Sequence, residues 1–294
     1  MLRGLYTAAQ GMKVQQKLHD TAINNMANVN TPGFKSDNAM SRTFPEELLY
    51  FMGKQEGAHL PDRASSAAKF GMRPYSIGTL AQGVTIEEMV TRFTQGAIRE
   101  TGRNLDMAII DGTQEQKNFF VVKKELDSDE VFYTRGGNFR LREFNGEQYL
   151  TTQDGEFVMQ RQGGDAADLQ PIVLNSEDNI TVYPDGRFEI EDPGFAAIEG
   201  ELHVVQFAAE QLPGLMKEGH GLYTANQQFL GAGFVPGVAA NVQVQQAWIE
   251  GSNVDPTQVV VDMMTAQRAY ESNQRVIQAY DRALDKIANE IGRV

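Results

Sequence analysis

Apolar and small side chains recur in steps of three and four along both ends of the chain, and this periodicity constrains the fold more than any other feature. At the carboxyl end the run is Val259, Met263, Ala266, Tyr270, Asn273, Ile277, Tyr280, Leu284, Ile287 and Ile291. At the amino end it is Leu5, Ala8, Met12, Gln15, His19, Ala22, Met26 and Val29. Such spacing places each set on one face of a helix, and the alternation of threes and fours is that of a seam packed against a second helix. The sequence therefore predicts two long terminal helices paired in a coiled-coil-like assembly domain. Helices drawn from opposite termini can pair only if the intervening chain returns near its start.

The helix boundaries are punctuated. The first helix reads from Gly4 to about Val29, and Asn28-Val29-Asn30-Thr31-Pro32-Gly33 stops it. Pro32 restricts the residue before it and Gly33 admits a positive φ, so the chain turns there. The last helix opens on Asp255 as cap, Pro256 at the first helical position and Gln258 placed to return a bond to the cap. Val254 and Val259 stand where a hydrophobic staple would fix how the chain joins the helix.

From about Thr79 to Gln246 the period shortens to that of strands. Phe119–Val122, Val131–Tyr133, Phe139–Leu141, Tyr149–Leu150, Phe157–Met159, Ile180–Tyr183, Phe188–Ile190 and Leu202–Phe207 are short apolar or alternating pieces. Between them lie Asp-Gly, Asn-Gly, Gly-Gly and Pro-Asp-Gly turns, the punctuation of hairpins. The fold expected is a mainly β central body carrying long amino- and carboxyl-terminal helices. Its divisions are an amino-terminal helix and turn over 1–33, a connecting segment over 34–80, a β-rich body over 81–246 and a carboxyl-terminal helix over 247–294. Within the connecting segment, Phe44-Pro-Glu-Glu-Leu-Leu-Tyr-Phe-Met-Gly-Lys54 reads as a short helix or as an apolar cover for the body.

Composition narrows the function classes. The chain of 294 residues carries 39 acidic and 26 basic side chains, a formal charge of −13, so nucleic acid is not an expected partner. Cysteine is absent, which removes disulfides and thiolate chemistry. The amino end carries charge and Gln where a general secretory signal needs an unbroken apolar stretch, and no window has the length and apolarity to span a membrane. No HExxH, GxSxG, phosphate-loop or dinucleotide-binding pattern occurs in a suitable context, and His19, His59, His203 and His220 lack ligand spacing. No enzyme activity, cofactor or metal is expected.

Three segments carry a family resemblance. The first is Asn24-Asn25-Met26-Ala27-Asn28-Val29-Asn30-Thr31-Pro32-Gly33-Phe34-Lys35. The second is Tyr133-Thr134-Arg135-Gly136-Gly137-Asn138-Phe139, with Leu105 to Gly112 leading toward the paired aromatics Phe119-Phe120. The third is Glu250-Gly251-Ser252-Asn253-Val254 followed by Ala266-Gln267-Arg268-Ala269-Tyr270-Glu271-Ser272-Asn273. Together they resemble the axial proteins of the bacterial flagellar rod and hook. In the absence of a long inserted outer domain, the pattern is more like a distal or proximal rod protein than the hook protein.

The resemblance implies a structural subunit of the flagellar basal body, exported by the flagellar type III apparatus and located outside the cytoplasmic membrane. It implies polymerisation with copies of itself or with homologous rod and hook subunits, with no nucleic acid partner and no direct membrane insertion. Within the seams, Asn273 either sets register through a polar partner or sits partly exposed. Arg268 is placed for an i,i+3 pair with Glu271. The alternative reading is a secreted β-rich module binding surface glycans through Tyr75 and Trp248, with a hydrolase as a remote third.

Overall fold

The computed structural model describes residues 2–43, 47–54, 72–80, 83–112, 116–126, 128, 130–161, 169–174, 180–190, 198–231, 234–239 and 242–291. The architecture is a mainly β central domain with an amino-terminal helix, Leu2–Ala27, and a carboxyl-terminal helix, Pro256–Ile291, that pack together. Contacts divide the chain into two compact units. One comprises residues 1–22, 39–89 and 260–294, the other residues 23–38 and 90–259.

In the helical unit the two helices run antiparallel. Tyr280 lies against Gly4, and a Cβ added at Gly11 would stand 2.8 Å from Asn273 Nδ2. Tyr280 and Asn273 are one heptad apart, as are Gly4 and Gly11, so two glycines make room for the two bulkier side chains that face them. The seam positions Met12, Gln15, His19, Met263, Asn273, Ile277 and Tyr280 are half-buried, and Ala8, Val14, Ala22 and Ala266 are buried. Tyr270 keeps 38% of its surface exposed within the seam, and past Tyr280 Leu284 and Ile287 keep 39% and 36%, so the seam ends before the helix does. The side chain of Ile291 lies outside the described residues.

Within the stretch read as a short helix or as an apolar cover for the body, residues 47–54 form a strand rather than a helix, and residues 44–46 lie outside the described residues. Glu47–Lys54 pairs antiparallel with Met72–Leu80 along its whole length. A short apolar run of this length satisfies a buried strand and a helical turn alike, and only the partner strand decides.

In the body, thirteen strands form one antiparallel sheet among the described residues. Its centre is Gln116–Lys123, flanked by Phe132–Thr134, Phe157–Arg161 and Val204–Ala208. The run Phe119-Phe120-Val121-Val122 is apolar without alternation because both faces of its strand are covered. Phe119 and Val121 join one core with Phe93, Tyr133, Phe207 and Tyr223, whereas Phe120 and Val122 join the other with Met107, Phe139, Leu150 and Phe188. Ring contacts mark the two sides: Phe119 meets Phe207 edge-on at 5.6 Å, and Phe120 meets Phe139 at 5.2 Å.

Two smaller pairings bring late sequence beside early sequence. Gln243–Gln246 pairs with Met107–Ile110, and Trp248–Glu250 pairs with Ile98–Glu100. Asp255 caps the last helix as its residue type requires, its carboxylate accepting from Thr257 N at 2.9 Å. Val254 and Val259 are both buried at that start.

Candidate functional site

The sharp turn after the first helix is shaped by what it meets. Gly33 has φ +69° and faces the Arg135–Gly136 backbone so closely that a Cβ would collide with it. Its N–H donates to the Glu250 carbonyl at 2.8 Å. Residues 24–37, the Arg135 loop and the Glu250–Asn253 stretch, distant in sequence, thus share one contact region. The Arg135 loop is itself held close, since Gly137 abuts the Met107 carbonyl where no Cβ fits.

The chemistry at this junction is a buried ion network. Lys35 Nζ donates to Glu250 Oε1 at 2.5 Å and to the Thr94 carbonyl at 2.8 Å. Glu250 Oε1 also accepts from Gly96 N at 2.8 Å, and Oε2 takes Arg135 Nε at 2.9 Å and Nη2 at 2.8 Å. The guanidinium then reaches Asp111, Nη1 to Oδ1 at 2.7 Å and Nη2 to Oδ2 at 3.2 Å, and donates to the Asn118 carbonyl at 2.6 Å. Lys117 closes the row against Asp111 Oδ2 at 3.1 Å. The side chains of Lys35, Glu250 and Arg135 are each 1% exposed, so these ions are compensated by one another and by backbone groups rather than by water.

Their electrostatics follow from burial. Desolvation is the largest influence on Lys35 and, with the Arg135 charge beside it, outweighs the attraction of Glu250 and holds its pKa down to about 8. Burial also opposes the Arg135 charge, but Glu250 and Asp111 together overcome it and raise the Arg135 pKa above the ordinary guanidinium value. A Lys–Glu pair of this kind could transfer protons in an open cleft. Here no substrate can reach it, and its chemistry is to hold three chain segments in one geometry.

Amide side chains extend the lock. Asn25 mimics a strand neighbour for Asp37, its Nδ2 donating to the Asp37 carbonyl at 2.8 Å and its Oδ1 accepting from Asp37 N at 3.0 Å. Asn253 Oδ1 accepts from Ser36 N at 2.7 Å, and its Nδ2 donates to Arg92 O at 2.7 Å and Thr94 Oγ1 at 2.9 Å. Lys217, 4.3 Å from the Phe34 ring centre, pairs with Asp37 at 2.8 Å and donates to the Lys35 carbonyl at 2.6 Å.

Of the motif residues picked out in the sequence, the structure gathers Asn25, Pro32, Gly33, Phe34, Lys35, Ser252, Asn253 and Val254 at this junction. Asn24 and Asn30 are exposed, and Asn28 folds back on Asn24 O at 2.9 Å to finish the helix. Met26 and Val29 are half-buried beside them. The carboxyl-terminal half of the third motif lies elsewhere, on the last helix, where Gln267, Arg268 and Glu271 are exposed and Ala269 is half-buried. Glu271 accepts from Gln267 Nε2 at 3.5 Å rather than from Arg268. Trp248 stands in the strand leading to Glu250, and the side chain of Tyr75 lies outside the described residues.

Sequence reasoning quotes Asp111, Arg135 and Glu250 within motifs but gives them no partners, and it passes over Lys117. The available signal was local: a lone carboxylate in Trp248-Ile-Glu250-Gly, and single cations in Gly33-Phe-Lys35 and Thr134-Arg135-Gly136, each with an apolar residue or glycine directly beside it.

Sequence relatives cover the same elements. Residues 5–35 match the family described as flagella basal body rod protein, and residues 245–290 match the flagellar basal body rod FlgEFG protein C-terminal family. The chain is 33% identical over 301 residues to the flagellar hook-basal body complex protein FlhO of Bacillus subtilis, spanning all of both chains. It is 30% identical to the flagellar basal-body rod protein FlgG of Bacillus subtilis over 98% of this chain and 99% of that one. To FlgG of Agrobacterium fabrum it is 32% identical over 95% of this chain and 96% of the relative. With paired terminal helices, a β body, parts of three motifs meeting at one buried network and relatives matched along nearly their whole length, the chain belongs to the flagellar basal-body rod and hook family of structural subunits.

Proposed function

We propose that this chain is a subunit of the rod rather than of the hook, polymerising through its paired terminal helices with copies of itself or with homologous axial subunits. The observation that carries the reading is the surface of the helix pair. Val261, Met264 and Val276 are 51%, 54% and 42% exposed, and Tyr270, Leu284 and Ile287 add to them on the same helix. Val261 and Met264, one turn apart on the side of the helix away from the seam, mark a surface that another protein covers.

A filament grows when one face of a subunit meets a different face of the next without closing into a ring. A long helix pair suits this because many modest contacts accumulate along it. Fully burying one large apolar side chain contributes about 1.5–3 kcal/mol. The seam from Val259 to Tyr280 serves the internal pair, and the side chains left outside it serve the neighbours. The expected location is outside the cytoplasmic membrane within the basal body, reached through the flagellar export apparatus.

The test substitutes the outer face alone. Val261→Asp with Met264→Asp should leave the helical circular-dichroism signal and the body intact while abolishing ordered polymers in electron micrographs and rod incorporation in cells. Polymers of normal order from this variant would overturn the reading.

A further inference from the structure

The buried network receives its members in an uneven order along the chain. Lys35, Asp111, Lys117 and Arg135 all precede Glu250. Without Glu250 the centre would hold three cations against the single Asp111 carboxylate. Lys35, Arg135 and Lys117 are 1%, 1% and 12% exposed in the finished structure, so an early closed centre would bury uncompensated positive charge. Dehydrating such a set is strongly unfavourable, and water should keep the centre open until the second carboxylate arrives.

The backbone points the same way. Gly33 N bonds to Glu250 O, Gly251 N to Ala97 O at 2.8 Å, and Ser36 N to Asn253 Oδ1. Ile98–Glu100 finds its strand partner in Trp248–Glu250. The central strands need none of this late sequence, since Gln116–Lys123, Phe132–Thr134, Phe157–Arg161 and Val204–Ala208 pair among themselves. The pair Lys35–Glu250 closes a loop of 215 residues, the pair Arg135–Glu250 one of 115. Contacts that distant form late unless other structure has already drawn the ends together.

We propose that Glu250 is the closing residue of the body: the sheet forms first, and the centre with its amino-terminal turn dehydrates in a separate, later step when Glu250 docks. A chain emerging amino-terminus first would then keep Gly33–Lys35 undocked until Glu250 has emerged. Docking of the turn would report that the body is complete.

Refolding of the full chain from urea, followed by pulsed hydrogen exchange and by Trp248 fluorescence, tests the order. Amides of Phe119–Val122 and Val158 should gain protection in an earlier phase. Those of Gly33, Gly96 and Gly251 should follow together, in the phase that moves the fluorescence. In Glu250→Gln the native protection of Gly33 and Gly96 should fall by about 100-fold, while the rate of the earlier refolding phase that protects the central strands stays within about threefold. Simultaneous protection of Gly33, Gly96 and the central strands in the wild-type chain would overturn the proposal, as would unchanged Gly33 and Gly96 protection in Glu250→Gln. The wild-type experiment decides the order by itself should the variant fail to fold.

Discussion

Replacing Glu250 by Gln is the most informative single change, because it removes one charge while keeping size and shape. The carboxylate accepts four bonds, from Lys35 Nζ, Gly96 N and two Arg135 nitrogens. An amide has one oxygen. Turned to keep Lys35 and Gly96, it points its NH2 at the guanidinium, donor against donor, and two charge-assisted bonds are lost at about 1.5–3 kcal/mol each. Arg135 keeps Asp111, which limits the damage, so the expected loss is roughly 3–5 kcal/mol, the range for breaking a buried pair. The assay is urea unfolding followed by the fluorescence of Trp248, the only tryptophan in the chain and two residues from the substitution. A loss of that size lowers the midpoint by roughly 1.5–2 M for ordinary urea slopes. Lys35→Met in the Glu250→Gln background should cost less than Lys35→Met alone, since the partner the lysine keeps there is a neutral amide that no longer compensates its charge; the coupling should exceed about 1 kcal/mol. A loss under about 1 kcal/mol for Glu250→Gln, or additivity within about 0.5 kcal/mol, would refute the network as the element holding the three segments together.

Further outcomes follow from the same geometry. Asn253→Ala strips the partners from Ser36 N and Arg92 O and should cost about 2–3 kcal/mol by the same fluorescence assay, whereas exposed Asn30→Ala should stay within about 0.5 kcal/mol. Gly11→Ala should fail to deliver the roughly 1 kcal/mol that alanine normally adds to a helix, and Gly11→Leu should separate the helices, both read as thermal loss of ellipticity at the helix band. For pH, the folded pKa of Lys35 is held at about 8 against an ordinary 10.5, so the unfolded chain binds more protons between those values. That difference makes stability rise with pH across the window, by about 3 kcal/mol at most. The contribution is fully present above 10.5 and lost as pH falls through 8. Lys35→Met should flatten that slope in unfolding titrations, and an unchanged slope would count against a charged buried lysine. His203 is held below its ordinary 6.5, chiefly by burial and next by Arg161. It should therefore cost stability as pH falls below that value, and His203→Gln should reduce the acid sensitivity of the unfolding midpoint.

What could be read from the sequence, and what could not, divides by the range of the interaction that decides each feature. The terminal helices were legible because their determinants are local: a heptad seam, an Asp255-Pro256 cap and a Pro32-Gly33 stop act within one or two turns. The short strands were legible for the same reason, as in Tyr183-Pro-Asp-Gly186, where Gly186 at φ +86° turns Ile180–Val182 back onto Arg187–Ile190. Glu47–Lys54 was not, since its apolar run fits two structures and Met72–Leu80 decides between them from a distance. The ion network was the least legible. A lone Lys, Arg or Glu most often signals a solvated surface, and nothing near Lys35 in sequence announces a partner 215 positions away. The motifs nonetheless held a clue in their glycines. Gly33 and Gly137 each abut another segment's backbone, and Gly96 abuts the Gly251 carbonyl, so three positions that look like turns are places where strangers in sequence touch. Wherever backbones come that close, water is excluded, and a charge caught beside them must find its counter-charge within the protein. Lys35, Arg135 and Glu250 are buried ions because the glycines let the backbones around them close without leaving room for solvent.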